Sequence, residues 1–117
     1  MSRNEDAESD FVAGRDLCDR RRWSAGLELL TRAAECGHLE AAFELGMHYL
    51  ELEDQPSAIK WFRVAAEAND VEAAYRLGLS LTAEGELGEA VYWWRMAAQA
   101  GHSRAASCLA AMEGGMG

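Results

Sequence analysis

The chain has 117 residues, a formal net charge of −9 and a sequence pI near 4.7. Nucleic-acid-binding surfaces carry basic patches and anionic membranes attract cations, so the acidic balance argues against both kinds of partner. No segment approaches the roughly 18 consecutive apolar residues of a membrane helix. The acidic N-terminal segment 1–10 also lacks the apolar stretch of a secretory signal.

The three cysteines, Cys18, Cys36 and Cys108, are odd in number and widely spaced along the chain. Such spacing is typical neither of a disulfide framework nor of a zinc site. It favours a reducing compartment, and we therefore predict a soluble cytoplasmic protein.

Apolar residues recur at helical spacing along the chain, whereas strand-favouring runs of Val, Ile and Thr are missing. In the segment 39–51, for example, Ala42, Leu45, Gly46 and Tyr49 lie three or four residues apart and form one helical face. We predict seven helices, at residues 6–20, 24–36, 39–51, 56–68, 71–83, 87–100 and 103–113.

Turn residues mark several helix ends. Gly37 and Gly101 lie where a helix must stop, a position that favours positive φ. Asn69 holds the same place in the middle of the chain, and Asn tolerates this conformation better than most residues. Pro56 suits the first turn of the fourth helix, because its missing N–H is not needed there.

The sequence matches itself without a gap when it is shifted by 32 residues. The matched positions include Gly14, Gly46 and Gly78; Ala33, Ala65 and Ala97; Ala41, Ala73 and Ala105; Leu45, Leu77 and Leu109; Trp61 and Trp93; and the aromatic row Phe11, Phe43 and Tyr75. Each unit reads as two helices, and a small glycine on the first is expected to face the large Phe62 or Trp94 on the second. Such hairpins stack into a solenoid.

The junctions between units resemble those of the tetratricopeptide superfamily and, within it, the Sel-one-like repeats. The resemblance is carried by AAECGHLEAAFELG (33–46), AAEANDVEAAYRLG (65–78) and AAQAGHSRAASCLA (97–110), and it covers about residues 10–112. The spacing between Gly46 and Ala58 is that of ordinary tetratricopeptide units, because the extra loop residues of Sel-one-like repeats are missing. We therefore expect a superhelical twist between those of the two types.

The predicted fold is an all-α, right-handed solenoid of three antiparallel hairpins followed by a single capping helix. We place one domain at residues 6–113, with units 7–38, 39–70 and 71–102, the capping helix 103–113, and disordered ends at 1–5 and 114–117.

The resemblance implies a protein-interaction adaptor or scaffold with no fixed ligand. Members of the superfamily bind peptides, helices or whole domains, usually on the concave face lined by the first helix of each hairpin. By similarity, the concave positions here are Glu8, Phe11, Arg15, Cys18, Glu40, Phe43, Met47, Leu50, Glu72, Tyr75, Leu79, Thr82, Arg104 and Ser107.

Two interpretations of the aromatic row stay open: it lines an apolar strip for a partner helix, or it packs between hairpins. Met47, Leu50 and Leu79 are expected to be more exposed, and Met suits adaptable contacts. Glutamates such as Glu40 and Glu72 along one edge would favour a basic or amphipathic partner.

The tryptophans are predicted to be structural, although Trp is also frequent at binding hot spots. Trp61, Trp93 and Trp94 hold repeat positions that carry large aromatics in the superfamily. Trp23 follows the basic turn 20–22 and is expected to staple it.

The last helix, 103–113, has few polar residues, whereas arrays usually end in a polar capping helix. A homodimer through Leu109 and Met112 is therefore the alternative to partner binding. A small-ligand carrier or enzyme with a pocket between hairpins is a third hypothesis.

Recognisable catalytic motifs are missing from the sequence. His38 and His102 share one repeat position at a helix start and are interpreted as turn residues, whereas His48 lies on a helix without a partner motif. We expect no enzymatic activity, cofactor or metal site.

Overall fold

The structure, a computed structural model, describes residues 3–114 of the chain. Within this range the chain forms seven helices and no strand, which confirms the predicted all-α class. The helices are α1 (Arg3–Asp19), α2 (Trp23–Glu35), α3 (Leu39–Glu51), α4 (Gln55–Glu67), α5 (Val71–Ala83), α6 (Leu87–Gln99) and α7 (Ser103–Gly114).

Most helix boundaries lie within one residue of the predicted ones, and α1 differs most. It begins at Arg3 rather than residue 6, so residues 3–5, predicted to be disordered, belong to the helix. Gly114, assigned to the disordered tail, is the last residue of α7. Residues 1–2 and 115–117, the remainder of the two predicted disordered ends, lie outside the described residues.

Every turn between two helices contains one residue with positive φ. Between units these are Gly37 (92°), Asn69 (73°) and Gly101 (94°), as predicted. Within hairpins they are Arg21 (63°), Glu53 (61°) and Gly85 (81°). The residue that follows each of these donates a backbone hydrogen bond into the preceding helix, so all six helix ends close in the same way.

Consecutive helices pack against each other along the whole described chain. The pairs α1–α2, α3–α4 and α5–α6 are hairpins, and the remaining contacts join one hairpin to the next, which gives an elongated solenoid of 53 × 28 × 18 Å. Side chains also link alternate helices: Glu8 on α1 reaches the start of α3, and Arg63 on α4 reaches α6. The odd-numbered helices therefore form one layer and the even-numbered helices another.

The two helices of a hairpin cross most closely at a glycine. A Cβ atom added at Gly46 on α3 would lie 2.6 Å from ring carbons of Phe62 on α4, and one added at Gly78 would overlap the Trp94 indole. This confirms the predicted packing of small against large residues. Position 110 on α7, the next in this series, carries alanine, and no second helix follows it within the described residues.

The core runs through all the units and consists mainly of alanines under large side chains. Ala41, Ala73 and Ala105, one repeat position, are all fully buried. Phe62, Leu30, Leu45, Leu77 and Leu81 are the largest fully buried apolar side chains. Trp61, Trp93 and Trp94 are buried as well, in agreement with their predicted structural role.

An ion pair ties α4 to α6 within the even-numbered layer. The guanidinium of Arg63 donates to both carboxylate oxygens of Glu89, from Nη1 to Oε2 and from Nη2 to Oε1 (3.3 Å). The hydrogen bond from Arg63 lowers the pKa of the Glu89 carboxyl, against the opposing effect of partial burial and with help from the Trp93 indole N–H. The pair thus holds Glu89 in its charged form.

Gly46→Ala should destabilise the protein. Overpacking costs about 1–3 kcal/mol, and an approach of 2.6 Å to a buried ring places Gly46→Ala toward the upper end of that range. The cost is then larger than the roughly 1 kcal/mol that Ala gains over Gly in helix propensity. Urea unfolding should show this net loss, whereas Gly88→Ala on α6, with no atom within 4 Å of the new methyl group, should be neutral or stabilising. Adding Phe62→Leu should restore part of the loss, because Leu30 already packs over Gly14. Equal stability of Gly46→Ala and wild type would contradict this packing.

Acid should weaken the Arg63–Glu89 pair. Because the pKa of Glu89 is lower in the folded state, the pair stabilises the fold above the ordinary carboxyl pKa of 4.5. That contribution is lost as the pH falls through the lower folded value. Glu89→Gln should therefore be less stable near neutral pH and lose less stability below pH 4.5. Urea unfolding across a pH series measures this, and an equally steep acid loss in Glu89→Gln and in the exposed control Glu35→Gln would refute it.

Candidate protein-interaction surface

His38 links the first two units of the odd-numbered layer. It is the N-cap of α3, where its Nδ1 accepts a hydrogen bond from the backbone N–H of Ala41 (3.2 Å). Because Nδ1 accepts, Nε2 carries the proton and donates to Glu8 on α1 (2.6 Å). The imidazole also stacks on the Phe11 ring, with centroids 4.3 Å apart. One side chain thus caps a helix and joins it to the preceding unit.

The same arrangement recurs at the last junction. Nδ1 of His102 accepts from the backbone N–H of Ala105 (3.1 Å), and Nε2 donates to Glu72 on α5 (2.9 Å). The ring stacks on Tyr75 with a centroid distance of 4.6 Å. Sequence reasoning identified both histidines as turn residues and missed their link to a glutamate thirty positions earlier, a spacing that both pairs share.

The middle junction has the glutamate and the aromatic ring but no histidine. Asp70 is the N-cap of α5, and its Oδ1 accepts from the backbone N–H of Ala73 (3.0 Å). Glu40, which corresponds to Glu8 and Glu72, forms no hydrogen bond or ion pair with the described part of the chain. The Phe43 ring has a single aromatic neighbour among residues 3–114, Phe62, which it meets edge-on at 5.8 Å.

Electrostatics at the last junction favour a charged glutamate. Partial burial alone would raise the pKa of Glu72, but hydrogen bonds from His102 and from Arg76 outweigh it and lower the pKa. Both carboxylate oxygens of Glu72 are therefore already hydrogen-bonded within the protein, to Arg76 and His102. Glu40 is exposed and has no such partner in the part of the chain that the structure describes, so its carboxylate can meet another molecule.

The structure divides the predicted concave positions into core and surface. Phe11 and Cys18 are 4% and 2% exposed, so they cannot present a surface to a partner, and their assignment to the groove is wrong. His38 stacks on Phe11, whereas Tyr75, stacked in the same way by His102, stays partly exposed. The positions with at least partial exposure are Glu8, Arg15, Glu40, Phe43, Met47, Leu50, Glu72, Tyr75, Leu79, Thr82, Arg104 and Ser107.

A small pocket lies beside the first intra-hairpin turn, where sequence reasoning expected only a staple. It has a volume of about 220 Å³ and is lined by Trp23, Leu27, His48, Glu51 and Leu52. Trp23 is 44% exposed and meets His48 edge-on. Gln55 and Glu84 replace Trp23 and Leu52 one repeat later, so this pocket belongs to the first junction and departs from the repeat.

The last helix presents a different face from the predicted one. Leu109 and Met112, the predicted dimer contacts, are half-buried and pack against the core. The exposed residues of α7 include Ala106, Ala110 and Ala111. On α3 and α5 the positions equivalent to Ala106 and Ala110 are buried under the second helix of the hairpin.

Residues 3–114 contain no group of three or more His, Cys, Asp or Glu side chains that could hold a metal ion. No helix in that range is long and apolar enough to cross a membrane. The three cysteines are free thiols, and burial, with nearby Asp19 and Glu44, raises the pKa of Cys18. Its thiol therefore stays protonated near neutral pH and is a poor nucleophile.

Comparison with known protein families finds the Sel1 repeat at residues 24–38, 39–70 and 71–102, which is more than half of the chain. No curated protein matches the sequence. Repeats of this family generally mediate protein–protein interactions and are typically non-enzymatic. The 32-residue hairpins and the family match thus agree, and the chain belongs to the Sel1 repeat family.

Proposed function

We propose that the protein is an adaptor that binds a peptide or helix of a partner protein on its odd-helix face. By this name we mean the exposed and half-buried surface of α1, α3 and α5, formed by Arg15, Glu40, Phe43, Met47, Leu50, Glu72, Tyr75 and Leu79. The observation that carries the proposal is the exposure of an apolar side chain in mid-helix. Leu79 is 38% exposed, although its neighbours Gly78 and Ser80 are buried.

The chemistry of this face indicates the partner. Met47 and Leu50 on α3 are half-buried and, with Leu79 on α5, offer apolar surface on adjacent units. Glu40 adds a negative charge at the helix start that has no ion pair within the described residues. An amphipathic segment with an apolar stripe and basic residues fits this pattern. The net charge of −9 disfavours nucleic acid and anionic membranes as partners, and three free thiols suit the cytoplasm.

Leu79→Glu should weaken binding of the partner while leaving the fold intact. The partner is first identified by affinity capture from the native cell with tagged wild-type protein, and its affinity is then measured with purified components. Val64→Glu on α4 is the matched control, because Val64 is 37% exposed and belongs to the even-numbered layer. We expect at least tenfold weaker binding for Leu79→Glu, consistent with a charge buried at an apolar contact, and unchanged binding for Val64→Glu.

Circular dichroism and urea unfolding of both variants establish that each is folded. If both variants bind the partner as wild type does, the odd-helix face is not the docking surface. If both lose binding equally, the partner does not discriminate between the layers, which also contradicts the proposal.

Self-assembly through α7 is the alternative function. The observation that favours it is one side of α7 that no second helix covers within residues 3–114. Ala106 and Ala110 are exposed there, although their equivalents on α3 and α5 are buried by a second helix. Two copies could cover this side for each other, with Leu109 and Met112 at its border.

Light scattering over a range of protein concentrations tests the alternative directly. A homodimer through α7 predicts a concentration-dependent doubling of mass that Ala110→Glu removes, while Glu35→Gln on α2 leaves it unchanged. Charged substitutions at Leu109 and Met112 are less suitable because both side chains also pack against the core. A wild-type chain that stays monomeric at the highest concentration eliminates this function.

A further inference from the structure

The odd-numbered layer has three junctions between successive units, and they differ in the residue that caps the start of the second helix. This residue is His38 at the first junction, Asp70 at the middle one and His102 at the last. At the first and last junctions, an imidazole from the N-cap residue of one unit lies on the aromatic ring of the preceding unit. The same imidazole donates a hydrogen bond to that unit's glutamate. At the middle junction the N-cap is Asp70, whose carboxylate has neither an N–H donor nor an aromatic ring.

The flanking junctions indicate which kind of chemical group could bind at the middle junction. A planar group with N–H donors fits between the ring and the carboxylate, at ring centroid distances of 4.3 and 4.6 Å and N···O distances of 2.6 and 2.9 Å. The middle junction keeps the ring of Phe43 and the carboxylate of Glu40. It adds a second carboxylate, because Asp70 uses Oδ1 to cap α5 while Oδ2 makes no hydrogen bond to the described chain.

Cations reach the flanking rings from within the chain and do not reach Phe43. The guanidinium of Arg15 lies 5.4 Å from the Phe11 centroid, and that of Arg76 lies 5.9 Å from the Tyr75 centroid. Met47 and Glu44 stand at the corresponding positions around Phe43. Within residues 3–114, no cation therefore lies over the Phe43 ring.

We propose that the middle junction, formed by Glu40, Phe43 and Asp70, binds an arginine side chain of the partner protein. The inference rests on the proposed function and specifies the partner's chemistry at that face. The guanidinium takes the place that the imidazole has at the other junctions, stacked on Phe43 and donating to Glu40 and Asp70. Arginine fits better than lysine, because its planar group can stack on a ring and donate in two directions at once.

Asp70→His is the decisive variant. The new imidazole should cap α5, as His38 and His102 cap their helices, so the fold is retained. It should also stack on Phe43 and pair with Glu40, which closes the site with the chain's own side chain. Asp70→Asn is the matched control, since Asn also caps helices but supplies no ring.

The first probe is N-acetyl-arginine amide, titrated into the isotopically labelled full chain and followed by backbone amide shifts in NMR spectra. We expect shifts concentrated at Glu40, Phe43 and residues 70–73, and weaker binding as salt is raised. N-acetyl-citrulline amide, which has a similar shape without the charge, should not bind. Asp70→His should show no binding, whereas Asp70→Asn and Glu40→Gln should each weaken it about threefold, as expected for loss of one exposed ionic partner.

Three results of the titration would overturn the proposal. They are equal binding of the citrulline probe, shifts centred elsewhere on the chain, and unchanged arginine binding by Asp70→His. Phe43→Leu, which keeps an apolar side chain at the position but removes the ring, should weaken arginine binding more than it weakens binding of N-acetyl-lysine amide. An equal effect on both probes would mean that stacking plays no part.

The captured partner separates failure of this inference from failure of the proposed function. Loss of partner binding by both Leu79→Glu and Asp70→His supports both. Loss by Leu79→Glu alone leaves the adaptor function standing and refutes the arginine site. Loss by neither refutes both. If light scattering shows a wild-type dimer that Asp70→His dissociates, the arginine belongs to a second copy of this chain, and the assignment to a partner protein is wrong.

Discussion

The close crossing of the two helices in each hairpin is the constraint on which the rest of the structure depends. A glycine on the first helix lets a large side chain of the second lie directly against the backbone, and the pairs are Gly14 with Leu30, Gly46 with Phe62, and Gly78 with Trp94. The crossing sets the distance between the two layers. Because that distance repeats in each unit, the ends of the odd-numbered helices come into register, and the histidine–glutamate links can form twice with similar geometry.

Much of the fold could be predicted from the sequence because its determinants are local or periodic. The 32-residue shift places helix starts, helix ends and the glycine–aromatic crossings without any three-dimensional information. Positive φ at Gly37, Asn69 and Gly101 follows from residue type and position. The start of α1 was predicted less well, because residues 3–5 are all polar and give no apolar periodicity that would place them in a helix.

The candidate surface was predicted less well because it depends on contacts between units. Phe11 and Phe43 hold the same repeat position, yet one is buried and the other half-exposed. A stacked histidine does not decide this by itself, because Tyr75 carries the His102 ring and is also half-exposed. A comparison of residues thirty positions apart could have found both histidine–glutamate links. The pocket beside Trp23 gives no such periodic signal, since its lining comes from residues that differ between units.

Position 110 carries alanine where the preceding units have glycine, and this difference limits where further hairpins can be added to the solenoid. Tandem duplication of residues 39–70 or 71–102 would insert a complete glycine–aromatic pair and extend the solenoid without new strain. A hairpin completed on α7 by a helix like α4 or α6 would instead bring an aromatic ring onto the methyl group of Ala110, the clash that a Cβ at Gly46 or Gly78 would cause. A longer engineered version of this protein is therefore best built by copying its interior units, whereas pairing α7 with such a helix would first require Ala110→Gly.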